Sequence, residues 1–332
     1  MAILVTGGAG YIGSATVERL MAKGESVVVL DDLSHGHREA IDAEVPFYQG
    51  SVGDRALVTR ISKEHGVESC VHFASLISVG ESEANPAEYF ENNVQEGISL
   101  VGALLHAGVR QFVFSSTAAV YGEPEKVPIG EDCPQWPKNP YGWTKFAFER
   151  ILETYDEAYG LKSVFLRYFN ASGATERCGE DHDPETHLIP NVLAAAADPQ
   201  RQVRIFGDSH PTPDGTPIRD YIHVADLADA HVLALQHLRK DGQSDALNLG
   251  SGQGYSVLEV IETARRVTGL PVRTRTEKPR AGDPPRLIAD PSRAKSVLGW
   301  SPTMSDLPSI IQSAWDWRKK YPYGYKSLAS TK

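Results

Sequence analysis

Apolar positions in the first half of the chain fall into two alternating textures, which predicts a parallel sheet layered with helices. Ala2–Thr6 is a short apolar run that stops at glycines, and Tyr11–Lys23 follows with helical spacing up to Gly24. Val27–Leu30 is β-branched and ends at Asp31. Ser69–Phe73 and Phe112–Ser115 are too short and apolar for a sheet with one wet face, so they predict strands buried on both faces. Between them, Asn85 as N-cap and Pro86 as first helical residue predict a helix ending near Gly108. Asn139-Pro140 repeats that signal, and the helix from Tyr141 runs to about Tyr159, with Gly160 past its end. Ser163–Tyr168 is the next strand.

After Asn170 the texture changes. Ala171–Pro190 and Gly207–Pro217 carry polar residues, glycines and prolines without periodicity, as functional loops do. Helical patterns return at Val224–Leu238, Ser256–Thr268 and Ser305–Lys319, and Ala246–Leu249 reads as one more strand of the main sheet. The expectation is an α/β chain with a doubly wound parallel (Rossmann) sheet. Its nucleotide domain covers residues 1–170 with a strand returning near 246–249. A smaller, mostly C-terminal substrate lobe covers 171–332, across a discontinuous boundary.

Composition narrows the partners. Of 332 residues, 41% are hydrophobic and 23% charged, and the net charge of −10 offers no basic field to nucleic acid or anionic lipid. No 18-residue apolar run is present, and the first residues read as a strand, so neither a membrane span nor a signal peptide is expected. Cys70, Cys133 and Cys178 lie far apart without ligand spacing, which fits a reducing, cytoplasmic setting and argues against structural zinc. His182 and His187 stand among Glu180, Asp181 and Asp183. Without paired ligand spacing on a rigid element, that stretch reads as a solvated acidic loop, and no metal is expected. His35 and His37 read as surface-loop residues.

Candidate chemistry begins at Gly7-Gly8-Ala9-Gly10-Tyr11-Ile12-Gly13, between a strand and a helix. Gly7 permits the tight turn, Gly10 lets the backbone approach a pyrophosphate, and Gly13 lets the helix lie close on the strand. The helix N-terminus offers free N–H groups to the phosphates. Asp31, at the end of the second strand, would accept from both ribose hydroxyls and repel a 2′-phosphate, so NAD is favoured over NADP; Asp32 adds to that preference. Tyr141 and Lys145 stand at i and i+4 near a helix start, on one face. An ammonium beside the phenol, with a positive nicotinamide ring, would favour phenolate and make the tyrosine a usable base. Upstream, Ser115-Ser116-Thr117 ends a strand and adds hydroxyls to the set.

TGGAGYIG, the Ser-Ser-Thr strand end and Tyr-x3-Lys resemble the extended short-chain dehydrogenase/reductase family. The likeness extends through VHFA (71–74), VGES (79–82), VYG (120–122), LRYFNASG (166–173), GTPIRDYIHVADLADAH (215–231), LNLGSG (247–252) and RAGDPP (280–285). Within that family the set resembles the UDP-glucose 4-epimerases. The resemblance implies Tyr141 as the base at the sugar 4-hydroxyl, Lys145 as the residue binding the nicotinamide ribose, and Thr117 as hydrogen-bond partner of the 4-oxygen. It places Gly7, Gly10, Tyr11, Ile12, Gly13, Asp31, Phe73, Asn92, Lys145 and Tyr168 around retained NAD, with Tyr168 also bordering the UDP-sugar. Asn170, His187, Arg219, Tyr221, Arg280, Asp283 and Leu287 fall on the UDP-sugar side. Two arginines suit a pyrophosphate, although Arg219 also reads as a rim partner of Asp220.

Departures from the family pattern are Ser51 for an aspartate near adenine, Ile77 for a lysine, Ser75 for its neighbouring glycine, and His187 for an asparagine at the diphosphate. They bear on how tightly NAD is held. A dehydratase relative would carry Asp-Glu after the threonine, whereas Ala118-Ala119 supplies no proton carrier. Epimerases of UDP-xylose/UDP-arabinose or UDP-N-acetylhexosamines remain alternatives, as do a UDP-glucuronate epimerase and a nucleotide-sugar dehydrogenase. A nucleotide sensor would have no need of the base. The resemblance makes Leu287 a wall of the sugar pocket, intermediate between a restrictive tyrosine and a permissive cysteine. The hexose pair should therefore turn over well, the pentose pair detectably and the N-acetyl sugars weakly. A homodimer pairing helices 86–107 and 141–159 is expected on the same basis.

Overall fold

The computed structural model describes residues 2–240, 242–279 and 284–329. Seven strands form one parallel sheet: β1 (Ala2–Thr6), β2 (Ser26–Asp31), β3 (Phe47–Gln49), β4 (Val67–His72), β5 (Gln111–Thr117), β6 (Lys162–Tyr168) and the strand Asp245–Leu249. Their spatial order is β3, β2, β1, β4, β5, β6 and Asp245–Leu249, a doubly wound sheet whose order reverses between β1 and β4. Ligands bind outside the carboxyl ends of strands at such a switch point.

Alternate residues of each strand feed two separate cores, as a sheet covered on both faces requires. Ile3, Val5, Val27, Val29, Val71 and Val113 pack on one side with Val17 and Leu20 of helix α1 (Tyr11–Ala22) and Leu227 and Leu235 of helix Val224–Arg239. Leu4, Val28, Leu30, Cys70, Phe112 and Phe114 face the other side, against helices Arg55–His65, Gly97–His106 and Pro140–Tyr159. A third core, apart from the sheet, joins helices Leu188–Ala197, Val257–Thr268 and Leu307–Lys320. The chain after residue 170 thus returns to the sheet twice, as helix Val224–Arg239 and as strand Asp245–Leu249.

Several local expectations change. The Asn85 side chain makes no capping hydrogen bond; Asn85 closes the short helix Val79–Ala84 before Pro86 starts the next. That next helix is interrupted by a π-helical turn over Glu91–Glu96, and the widened turn swings Asn93 inward. Its amide bonds Leu76 backbone groups and the Thr144 hydroxyl, tying this helix to Pro140–Tyr159. Asn139 does cap its helix, accepting from the Gly142 N–H at 2.8 Å, and Gly160 closes it in the left-handed conformation. The irregular stretch after 170 is shorter than expected. Asn170–Ser172 pairs with Tyr221–His223, and a helix begins at Leu188. Among the described residues, no helix is long and apolar enough to cross a membrane.

Candidate active site

The glycine turn sits at the carboxyl end of β1, beside the switch point. A Cβ on Gly7 would meet the Ala74 backbone N at 2.4 Å, and one on Gly13 would meet the Gly7 carbonyl at 2.2 Å, so the fold itself demands both glycines. Gly10 differs: its Cβ would meet only the Gly7 carbonyl at 3.4 Å, an ordinary contact. Nothing in the chain requires glycine there, whereas a pyrophosphate lying against the helix N-terminus does. Asp31 is buried at the end of β2 and accepts from the Ala9 and Leu33 backbone N–H groups, each at 2.8 Å. One lone pair per oxygen is left for ribose hydroxyls. Burial pushes this carboxyl up, against the two N–H bonds. These residues fit NAD. Asp32 is exposed and accepts instead from the Ser34 backbone and hydroxyl.

Tyr11 opens α1 and donates to the Gly173 carbonyl at 2.6 Å, while Ile12 packs on the sheet core. Phe73 follows β4, its ring 4.7 Å from that of His231. Asn92 lies half-buried in the π-helical turn. Tyr168 ends β6, buried, and its hydroxyl meets His231 Nε2 at 2.5 Å.

Thr117 ends β5, Tyr141 meets its hydroxyl from the first turn of helix Pro140–Tyr159, and Lys145, one turn on, reaches Ser115 of the same strand. Lys145 is only 2% exposed. Its ammonium donates to the Ser75 hydroxyl at 2.8 Å and the Ser115 carbonyl at 2.9 Å, and lies 6.0 Å from the Tyr141 ring centre. One of its three protons remains for a ligand. Burial pushes Lys145 down to about 7, opposed by Glu149. The expected lowering of Tyr141 is not a property of the chain by itself: burial raises the phenol, and only the Thr117 hydroxyl draws it down. Phenolate here calls for further positive charge in the crevice.

On the lobe side, Asn170 donates its amide to the Asp220 carbonyl at 2.9 Å, and Tyr221 is buried in the paired strand. Asp220 is no rim partner for Arg219. Its buried carboxylate accepts from Ser251 N and Oγ, Gly252 N and Ala289 N, a set that ties three loops together. Arg219 donates to the Ile218 carbonyl and is register partner of Leu287. Leu287 packs beside Val120, Tyr121 and Ile129, next to the strand end that carries Thr117. Arg280 and Asp283 lie outside the described residues.

The loop before helix Leu188–Ala197 is not the solvated acidic segment expected. Glu180 and His182 turn inward, at 7% and 16% exposure, whereas Asp183 and His187 stay exposed. The His187 Nδ1 lies 2.8 Å from Glu180 and 2.9 Å from Glu185. That nitrogen is therefore engaged with carboxylates, although the resemblance placed His187 at a diphosphate. Burial pushes both imidazoles down, but the two glutamates outweigh it and hold His182 at about 9 and His187 at about 10. His37, expected on the surface, reaches the Asp181 carbonyl at 2.9 Å.

The model of the NAD dependent epimerase/dehydratase family matches residues 3–250. The chain belongs to this family. It is 52% identical over 329 residues to the UDP-glucose 4-epimerase of Halalkalibacterium halodurans, covering 98% of each chain. The UDP-glucose 4-epimerase of Brucella ovis in complex with NAD superposes with a TM-score of 0.93 at 46% identity, over 95% of this chain and 97% of that one. That of Bifidobacterium longum, in complex with NAD+ and UDP, gives 0.92 at 38% identity, over 98% and 100%. Against the family pattern, the departures acquire local causes. Ser75 is the hydroxyl that receives the Lys145 ammonium, which no spacing rule would have found across 70 residues. Ser51 donates to Glu96 at 2.7 Å and accepts from Gly53 N, fixing the start of a loop. Ile77 is exposed, and nothing in the structure explains it.

Proposed function

We propose that this chain interconverts UDP-glucose and UDP-galactose by epimerisation at C4, with NAD retained in the crevice at the carboxyl edge of the sheet. The observation carrying the proposal is the meeting of Thr117, Tyr141 and buried Lys145 beside the glycine turn, in a chain similar over 98% of its length to UDP-glucose 4-epimerases. Tyr141 takes the proton of the sugar 4-hydroxyl, while the Thr117 hydroxyl orients the 4-oxygen. NAD, when bound, supplies the acceptor and then the donor of the C4 hydrogen. Lys145 donates its remaining N–H in a hydrogen bond to the nicotinamide ribose, and its positive charge stabilises the phenolate. Asp31 receives the adenosine ribose hydroxyls on its free lone pairs. Rotation of the 4-keto ring about its phosphate link presents the other face, and Tyr141 returns the proton.

In the same proposal the parallel sheet holds NAD and the lobe holds the UDP-sugar. Asn170, Tyr221 and Arg219 line that side, and Leu287 walls the sugar; Arg280 and Asp283, which the resemblance adds, lie outside the described residues. Guanidinium groups suit the diphosphate because their planar donors engage two oxygens at once. The test is product analysis by chromatography with UDP-galactose, alongside Tyr141→Phe. The variant should lose at least ~100-fold in turnover yet keep NAD through gel filtration. Near-normal turnover by Tyr141→Phe, or no turnover by the parent protein, overturns the reading.

A further inference from the structure

We propose that Glu180, His182, Glu185 and His187 form a binding site for one divalent transition-metal ion of the zinc class. One ligand atom from each side chain, two imidazole nitrogens and two carboxylate oxygens, lies within 4.8 Å of all the others. A tetrahedral ion with bonds of about 2.0–2.1 Å sets its ligand atoms roughly 3.3 Å apart. Glu180 Oε1 lies 2.8 Å from His187 Nδ1 and 3.5 Å from His182 Nδ1, while Glu185 approaches His187 with one oxygen at 2.9 Å and His182 with the other at 3.7 Å. Closing on an ion draws these atoms together from separations of up to 4.8 Å, which rotation of the four side chains would supply.

A second observation points the same way. The Nδ1 of His182 is buried, faces the two carboxylates and makes no hydrogen bond. A buried polar atom at ion-pair distance from two carboxylates but without a hydrogen bond is incompletely satisfied, and a cation at the centre of the cluster would complete it. The donor set selects the metal class, since imidazole nitrogens suit zinc and its neighbours, whereas calcium and magnesium take oxygens alone. Charge balance is met as well, because a dication neutralises the two carboxylates with both imidazoles neutral. The competing occupant of the space is a pair of protons on the histidines.

The surroundings are ordered for the purpose. The backbone N–H of His187 donates to Glu185 Oε1 at 2.7 Å, orienting that carboxylate toward the cluster. Asp181 is held by the Tyr325 backbone N–H at 2.9 Å, and the Tyr11 ring stands edge-on to His182 with centres 6.4 Å apart. All four positions come from the protein, so the ion would be structural, fastening the loop between the first helix of the dinucleotide turn and helix Leu188–Ala197. The inference stands apart from the epimerase reading, because its readouts are metal content and stability.

The experiment uses the untagged full chain, stripped with chelator and then dialysed against Zn2+ or Co2+. Elemental analysis after gel filtration should find one equivalent of zinc per chain, and the melting temperature should rise with Zn2+. Cobalt should give the visible bands of tetrahedral nitrogen and oxygen ligation without a thiolate charge-transfer band. His182→Gln and Glu185→Gln should each weaken zinc binding by more than the ~10–100-fold typical of losing an outer-shell partner. Sub-stoichiometric zinc in the parent protein, undiminished affinity in both variants, or a thiolate band placing cobalt on a cysteine overturns the proposal. Should the variants misfold, metal content and the cobalt spectrum of the parent protein decide it.

Discussion

Lys145 illustrates how the site works at the residue scale. Its burial disfavours the charge the chemistry needs, Glu149 opposes that, and the Ser75 hydroxyl and Ser115 carbonyl accept hydrogen bonds from the ammonium. A hydrogen bond to a charged group is worth about 1.5–3 kcal/mol. Ser75→Ala removes one without touching the backbone, so the Lys145 ammonium becomes still less favourable and the Tyr141 phenolate loses support. Turnover at neutral pH should fall by up to about tenfold, and the acid limb of the kcat profile should move to higher pH. A pH series on the two proteins checks this; an unmoved limb would mean that Ser75 does not set the charge of Lys145. The pairing of Tyr141 with Lys145 was legible because helical geometry fixes what i and i+4 can do. The partner Ser75 was not, because only the sheet brings residues 75 and 145 together. Nor was the upward shift of Tyr141, which comes from burial of the phenol in the folded chain.

The turn from β1 into α1 shows at the element scale how two glycines three residues apart do different work. Gly13→Ala drives a Cβ into the Gly7 carbonyl, a backbone group that cannot swing aside, whereas Gly10→Ala meets only an ordinary contact. Overpacking of this kind costs about 1–3 kcal/mol. Gly13→Ala should therefore lower the melting temperature, while Gly10→Ala should melt like the parent and bind NAD about 10–100-fold more weakly. Calorimetry and a fluorescence titration with NAD separate the two; full NAD affinity in Gly10→Ala would mean the pyrophosphate lies elsewhere. β1 and β5 were readable from their dense apolar runs, and helix Pro140–Tyr159 from Asn139-Pro140 at its start and Gly160 past its end. Helix Arg55–His65 was missed although Asp54 caps it and Gly66 closes it, because it buries only Val58, Ile61 and Ser62. β3 is an edge strand of three residues, too short for any periodicity. The loop around Glu180 has no period either, and only folding against Tyr11 and Tyr325 turns Glu180 and His182 inward.

Assembly is a property of the whole molecule, and two helices on one flank point to it. Helices Pro86–Phe90 and Gly97–His106, continuous through the π turn, lie against Pro140–Tyr159, with Asn93 joined to Thr144 between them. Phe90 and Ile98 on the first and Tyr159 on the second remain exposed, large apolar groups that a lone chain leaves in water. A two-fold axis beside them would place the same pair of helices from each copy together as a four-helix layer, each patch covering its own counterpart. In the proposed reading Thr117, Tyr141 and Lys145 face the crevice at the sheet edge, so pairing on this flank would leave that crevice open to substrate. On that basis we expect light scattering at micromolar concentration to give twice the chain mass. Ile98→Glu should reduce it to a single chain mass, because the axis would bring two buried carboxylates toward each other without partners. The substitution is mild in the monomer, where position 98 is solvent-exposed, and an unchanged melting temperature at high dilution would confirm that the fold is intact. A parent protein that scatters as a monomer, or an Ile98→Glu protein that stays dimeric, would place the interface on another face.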